Sequence, residues 1–326
     1  MHAILTGPVF NVYYPVLAAI GVPANLVVIV ILSKRRCGLS RCINCYLVSI
    51  AVADLLVVVT VVILNRTAGI YFPFSFLSIT PMCSLRSALN YAALDATAWL
   101  TVAFTFDRFV AISCHKLKIT YCTEKMAAWI IAIISAVACV KNAFLYFQYE
   151  PMYMINNTPW FCSIKIIVYT SPAWAANDWI AFILTPLLPF ILIILLNALT
   201  VSHILAANRS RKRIRFRSNA ESQSDREMVK RRKSIVLLFT ISGSFVLLYL
   251  LCFIWIPYVR FANVIYTSVS NFSNSTFIIQ ETGFMLQLLS SCINPFIYAG
   301  TQSKFRTELQ NGLKYPMNLF IKVFKI

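Results

Sequence analysis

An Asp-Arg pair at 107 and 108 closes one long apolar stretch, Asn294-Pro295-Phe296-Ile297-Tyr298 closes another, and a lone acid, Asp54, lies inside a third. A charge in hydrocarbon costs roughly 2.5 to 3.5 kcal/mol on insertion scales and usually faces a partner inside a bundle. Arg108 beside Asp107 therefore reads as a capped, switchable ion pair at a helix mouth, the alternative being a static arginine reaching for the membrane surface. Pro257 and Pro295 have already forfeited a backbone hydrogen bond, so bending at those points is cheap. Enzymatic chemistry finds no footing. The three histidines, His2, His115 and His203, are scattered, and neither a metal set nor a Ser-His-Asp arrangement is visible. The chemistry on offer is charge pairing and helix bending.

The elements that must position these groups follow from composition. The 326 residues are 59% hydrophobic and 12% charged, with a mean hydropathy of +0.74, more apolar surface than a water-soluble domain hides. A hydrocarbon core of about 30 Å takes roughly 20 apolar residues in a helix. Seven stretches qualify: Val9 to Leu32, Ile43 to Leu64, Leu85 to Ile112, Met126 to Phe147, Trp174 to Leu205, Ile235 to Phe261 and Phe277 to Ala299. Free amides in hydrocarbon find no water, so such stretches are helices. The expected fold is an all-α membrane protein, a seven-transmembrane-helix bundle over residues 1–303. A membrane-surface helix and tail follow over 304–326, with Phe305, Leu309 and Leu313 on one amphipathic face. A transporter would show an internal repeat and broken midplane helices, and neither is found.

The formal charge of +18 is not spread as a nucleic-acid face. Lys34, Arg35, Arg36 and Arg41 follow the first helix, Lys116, Lys118 and Lys125 the third, a block from Arg209 to Lys233 the fifth, and Lys304, Arg306, Lys314, Lys322 and Lys325 the seventh. This bias places the N-terminus outside and the C-terminus in the cytoplasm, with attraction to anionic membrane lipid and no nucleic-acid role. A short uncharged head runs straight into the first span, so no cleavable signal is expected and no ligand-trapping N-terminal module. Sorting the ten cysteines by side leaves Cys83 and Cys162 outside, which predicts a disulfide between them, two free thiols being the alternative. Sequons at Asn65, Asn156, Asn271 and Asn274 fall at outer loops or helix ends and predict glycosylation. The segment from Ala206 to Lys233, with Ser210, Ser218, Ser222 and Ser224, reads as a phosphorylatable connector whose ends extend the flanking helices.

Asn25, the Ala53-Asp54 step, Cys83, Asp107-Arg108, Trp129, Pro189, Trp255-Ile256-Pro257 and Asn294 to Tyr298 occur in order along nearly the whole chain. In these positions the sequence resembles the rhodopsin-like, or class A, G-protein-coupled receptors. Within that class, Tyr13-Tyr14-Pro15-Val16-Leu17, Gly21-Val22-Pro23-Ala24-Asn25 and Trp99-Leu100-Thr101-Val102, with Asn197 after Pro189, look like the orphan G-protein-coupled receptor 139 and 142 group.

The resemblance implies a plasma-membrane receptor in which Asp107, Arg108, Trp255, Pro257, Asn294, Pro295 and Tyr298 form the activation switch, Arg108 meeting the G protein once released. It implies that Asp54, with Asn25, Thr97, Ser290 and Asn294, holds water and often a sodium ion, and no other cofactor. The related receptors suggest a phospholipase C-activating G protein, with arrestin and receptor kinases as further partners. Phe109 replaces a usual Tyr, Leu251 a common Phe, and Leu237 an acid that locks the arginine, so a weak brake and basal signalling are expected. The pocket is expected among Asn90, Tyr91, Leu94, Asp95, Trp255, Tyr258, Arg260, Phe284 and Leu288. Asn90 and Arg108 share one face of the third helix about five turns apart, linking pocket to switch. Aromatics there favour a small aromatic or amino-acid-like ligand, with a short peptide as the alternative and a widely exposed outer loop as its mark.

Overall fold

The computed structural model describes residues 7–215, 224–261 and 275–312. Seven long helices run through it. They are α1 (Pro8–Ser33), α2 (Arg41–Tyr71), α3 (Thr80–Ser113), α4 (Glu124–Ala143), α5, α6 (Ser224–Phe261) and α7 (Ser275–Thr301). A short helix over 303–312, α8, follows. α5 is built from Pro172–Phe182, a π turn over Ile183–Leu187 and Leu188–Arg215. α2 likewise passes through a π segment, Val58–Thr67. The helices outrun the apolar stretches: α2 continues past Leu64 to Tyr71, α3 begins at Thr80, and α5 and α6 take much of the Ala206 to Lys233 connector. Arg, Lys and Glu are good helix formers, so a helix need not stop where hydrocarbon does. The side chains of Ser210, Ser218, Ser222 and Ser224 lie outside the described residues, as do Leu313 and the tail beyond it.

Among the described residues, five helices are long and apolar enough to cross a membrane by composition alone; α3 and α7 are not among them. These two carry most of the buried polar groups, including Arg86, Asn90, Asp95, Asp107 and Arg108 on α3 and Gln280, Glu281, Ser291 and Asn294 on α7. α3 runs between α2, α4, α5 and α6, so its polar side chains meet protein rather than lipid. The outer helices reverse the pattern, with Val12 on α1 and Trp129 and Val140 on α4 turned outward.

Three apolar clusters hold the bundle. At the Arg108 end, Leu32, Tyr46, Leu47, Phe104, Leu237, Tyr298 and Phe305 pack together. At the opposite end Phe10, Tyr14, Val57, Phe277 and Leu288 join α1, α2 and α7. Between α3, α5 and α6 lie Val102, Phe190, Ile193, Phe245 and Tyr249.

The Cys83–Cys162 disulfide is formed, with the two Cα atoms 6.3 Å apart. It tethers the loop between α4 and α5 to the start of α3, where Thr80 Oγ1 donates to the Phe161 carbonyl at 2.7 Å and the Phe161 amide to the Ser78 carbonyl at 2.7 Å. The loop folds as two short antiparallel pairs: β1 (Tyr149–Glu150) with β4 (Ser163–Ile164), and β2 (Tyr153–Ile155) with β3 (Thr158–Trp160). Asn156 and Asn157 supply the two positive-φ residues at the tip, 49° and 58°, the requirement of a type I′ hairpin.

Gly21 is a contact rather than a turn. A Cβ there would stand 2.5 Å from Cys292 Sγ and 3.1 Å from Val58 Cγ2, so its absence lets α1 close onto α2 and α7. Gly21→Val is expected to lower stability by about 1 to 3 kcal/mol through overpacking, whereas Gly243→Ala, with nothing within 4 Å, gains about 0.5 to 1 kcal/mol of helix propensity. Thermal melts of the purified variants check both signs.

Candidate functional site

At the Arg108 end, both carboxylate oxygens of Asp107 are in use. Arg108 Nε donates to Oδ2 at 2.9 Å, with Arg108 Nη2 also on Oδ2, while Cys42 Sγ donates to Oδ1 at 3.0 Å. The Asp107 carbonyl accepts from Cys122 Sγ at 3.6 Å. Burial, then the Asp107 charge, pushes the Cys122 thiol up to about 12, so it remains a protonated donor. Leu237, where a locking acid would stand, is wholly buried among apolar side chains. The arginine is therefore held by its neighbour on α3, and that neighbour by thiols on α2 and the segment before α4. Cys42 and Cys122 were invisible in the sequence, because a thiol gains this role only through the contact it makes.

One membrane layer away, Asp54 Oδ1 accepts from Thr97 Oγ1 at 3.3 Å and Oδ2 from Asn294 Nδ2 at 2.7 Å. Asn25 Nδ2 bridges the Gly21 and Ser291 carbonyls at 3.0 and 2.9 Å, and its Oδ1 is buried without a partner. Ser290 is buried, but no hydrogen bond joins it to Asp54; the neighbouring Ser291 enters the cluster through its carbonyl, which accepts from Asn25. Asp54, Thr97, Asn294 and the orphaned Asn25 amide oxygen are all hard oxygen donors, which fit a hard cation or water. Among the described residues no group of three or more His, Cys, Asp or Glu gathers for a metal.

Trp255 is buried with its indole nitrogen unpartnered, and its ring lies 5.4 Å from that of Tyr258, which is half exposed. Phe253 stacks on Phe190 at 4.1 Å, and Asn197 exchanges hydrogen bonds with Ser242 at 2.9 and 3.1 Å. Pro257 and Pro295 lie inside α6 and α7. Tyr298 is buried with its hydroxyl unpartnered and its ring edge-on to Phe305 of α8.

The expected pocket residues disperse. Asn90 is buried against α2, its amide lying 3.2 Å from Thr60 Oγ1 and 3.0 Å from Asn65 Nδ2, so it serves the α2–α3 joint. Of the sequon residues, Asn65 lies within the π segment of α2, Asn156 stands exposed at the hairpin tip, and Asn271 and Asn274 lie outside the described residues. Tyr91 points outward, the hundred-degree step per residue carrying it off the face of Asn90. Asp95 is consumed by an ion pair with Lys141 Nζ at 2.5 Å and by Asn142 Nδ2 at 2.6 Å, both on α4. Lys141 also donates to Thr185 Oγ1 at 2.8 Å, and Trp99 Nε1 to the Leu184 carbonyl at 3.1 Å, which ties the π turn of α5 to α3 and α4. Leu94 and Leu288 pack with the α1–α2–α7 cluster. The Arg260 side chain lies outside the described residues.

A charged pair that sequence reasoning left apart lies between α2 and α7. Arg66 Nη2 is 3.6 Å from Glu281 Oε2, and its guanidinium sits 5.7 Å from the Tyr14 ring centre and 6.0 Å from that of Phe284. Both Arg66 Nε and Glu281 Oε2 are buried without a hydrogen-bond partner. The π segment of α2, Val58–Thr67, carries Arg66 to this contact.

Seven helices, a disulfide-tethered hairpin at one end and an Asp-Arg pair at the far end of α3 define a membrane receptor. The chain belongs to the 7 transmembrane receptor (rhodopsin family), matching it over residues 24–298, and is accordingly a multi-pass plasma-membrane protein and not an enzyme. It is 26% identical to the thyrotropin-releasing hormone receptor of Gallus gallus over 90% of this chain and 75% of that protein. It is also 25% identical to the tachykinin-like peptides receptor 86C of Drosophila melanogaster (93% and 58%) and 20% identical to the galanin receptor type 2 of Rattus norvegicus (90% and 73%). These relatives leave the narrower likeness to the orphan 139 and 142 group unsupported.

Two consequences are open to measurement. Cys42→Ala removes the donor to Asp107, a loss of about 1 kcal/mol that raises basal signalling about fivefold, whereas Cys42→Ser retains it; an alanine variant at wild-type basal level and matched surface density would sink this role. Lys141→Ala leaves Asp95 buried and uncompensated and costs about 3 kcal/mol, so its melting temperature falls, and adding Asp95→Asn restores most of the loss.

Proposed function

We propose that this chain is a cell-surface receptor for a short peptide, coupling to a heterotrimeric G protein at its Arg108 end. The carrying observation is the outer rim. The hairpin of β2 and β3 is pinned by Cys83–Cys162 yet turns Tyr153, Met154 and Ile155 outward, each about half or more exposed (57%, 63% and 49%). A wide, apolar, strand-bearing rim suits an extended ligand better than a single amino acid. Below it, Arg66 Nε lacks an acceptor and Glu281 Oε2 a donor, and one amide group supplies both through its C=O and N–H. Peptide receptors among the relatives, named for thyrotropin-releasing hormone, tachykinin-like peptides and galanin, support the same reading. A small aromatic amino acid fares worse, since Asn90 and Asp95 are engaged by α2 and α4.

The clusters of Lys and Arg at the Arg108 end support a cytoplasmic C-terminus. There, agonist-driven bending at Pro257 and Pro295 exposes Arg108. Moving the population from 1:99 to 99:1 needs a preference of roughly 5.5 kcal/mol for the active form. A sodium ion or water at Asp54 biases the resting form, and a phospholipase C-activating G protein, arrestin and receptor kinases complete the expected partners.

Calcium and cyclic-AMP signalling in cells expressing the chain, challenged with a library of short amidated peptides and with tryptophan and phenylalanine, tests the ligand class. Responses are expected from peptides, abolished by Arg108→Ala and weakened at least tenfold in potency, about 1.4 kcal/mol, by Arg66→Ala. Responses to the amino acids with silence toward every peptide would reverse the reading.

A further inference from the structure

The Asp95–Lys141 pair reaches further than the two helices it joins. The Asp95 side chain is 5% exposed and that of Lys141 22%, so opposite charges 2.5 Å apart are sequestered between α3 and α4. Such a pair gains little stability over apolar residues of the same volume, and its consequence lies in what else it touches. Asn142 Nδ2 spans the Asp95 carboxylate and the Ala138 carbonyl, at 2.6 and 2.8 Å, which fixes the orientation of the acid. Lys141 Nζ, held in place by that acid, donates a second hydrogen bond to Thr185 Oγ1 of α5 at 2.8 Å.

Thr185 lies inside the π turn with φ −148° and ψ 87°, outside the helical region. Pro186 and Pro189 follow it, and neither has an amide hydrogen to give. The Leu188 amide donates to the Ile183 carbonyl. The matching donor for Leu184, five residues on, would be Pro189, so the Leu184 carbonyl takes the Trp99 indole of α3 instead, at 3.1 Å. α5 therefore does not fix its own course through this turn. That course is set from outside, by a hydroxyl held from α4 and a carbonyl held from α3.

Further along α5, Phe190 stacks on Phe253 of α6, with ring centres 4.1 Å apart and planes 13° from parallel. It also packs with Val102, Ile193, Phe245 and Tyr249. Phe253 is one turn before Pro257, so a shift of the π turn moves the ring on which the bending segment of α6 rests.

We propose that Asp95, Lys141 and Thr185 are positioning residues for signalling: the ion pair pins the π turn of α5, and the pinned turn holds α6 in its resting place through Phe190 and Phe253. These contacts belong to the form in which Asp107 retains Arg108, so releasing the turn shifts the population toward the active form. The inference rests on the receptor reading above and is independent of the ligand, because it concerns the unliganded protein.

Thr185→Val is the informative variant. It removes the acceptor for Lys141 and leaves the Asp95–Lys141 pair whole, so no buried charge is stranded. In cells at matched surface density, basal calcium and cyclic-AMP signalling is expected to rise about fivefold for Thr185→Val. Thr185→Ser, which keeps the hydroxyl, and Val140→Ala, turned outward on α4, stay at the wild-type level. Asp95→Asn combined with Lys141→Ala loses the same pin without a stranded charge and matches Thr185→Val. In purified receptor in nanodiscs, without G protein, the fluorine resonance of a trifluoromethyl-phenylalanine at Val236, exposed on α6, is expected to show a second α6 population enlarged by a similar factor, with the melting temperature unchanged. An α6 population that shifts while cellular signalling does not would uphold the positioning role and count against G-protein coupling. An unmoved α6, whatever the melting temperature does, would overturn the proposal, as would Thr185→Ser behaving like Thr185→Val.

Discussion

Polar groups inside a membrane have no water to turn to, and this bundle is arranged around that scarcity. Each charge buried on α3 is matched from a neighbouring helix or from its own: Asp95 by Lys141 of α4, Asp107 by Arg108 and by the Cys42 thiol of α2. Losing one partner strands the other at a cost of several kcal/mol, which is how single contacts decide where helices dock. The same need explains why α3 is central. A helix with so many polar side chains is tolerated only where other helices cover it.

Partners that are present but incomplete mark the places built to change. The Asp107 carboxylate is fully satisfied and keeps Arg108 folded back, whereas Arg66 and Glu281 face one another across 3.6 Å with a donor and an acceptor unspent. One end of the bundle thus has its polar groups satisfied, and the other keeps a donor and an acceptor unspent. Between them Asp54, Thr97 and Asn294 tie α2, α3 and α7 through hydrogen bonds that water or a cation can reorganise. The Leu237 position contributes only packing, and α6 is held by apolar contact, by the Asn197–Ser242 bonds, and by Cys252 to Gln287 of α7 and Lys233 to Ser303 of α8.

Much of the fold was legible along the chain because hydrophobic length is a local property. Apolar runs located all seven helices, and sorting cysteines by side paired Cys83 with Cys162. Charged helix formers carry α5 and α6 beyond the apolar run into the ends of the connector, and α2 runs on past Leu64 to Tyr71. Two π segments escaped notice, since the extra residue per turn has no compositional mark. For the site, the Arg108 pair and the prolines stood out by residue type, while Asn90, Tyr91 and Asp95, expected in a pocket, are set by the structure against α2, outward and against α4. Projection onto one helix says which side chains share a face but not which neighbour that face meets.

The sequence by itself determined what must be buried and how often: seven spans, one disulfide, an acid in α2 and an Asp-Arg pair at the mouth of α3. Those follow from the cost of placing charge and open backbone in hydrocarbon, which each residue carries wherever the chain goes. Only the tertiary structure decided the pairings. That Asp95 answers Lys141, that Cys42 caps Asp107, that a π segment swings Arg66 toward Glu281, and that Lys304 lies over Gly38 beside two arginines depend on helix rotation and crossing. Those quantities are set by many weak packing contacts at once and are carried by no single residue.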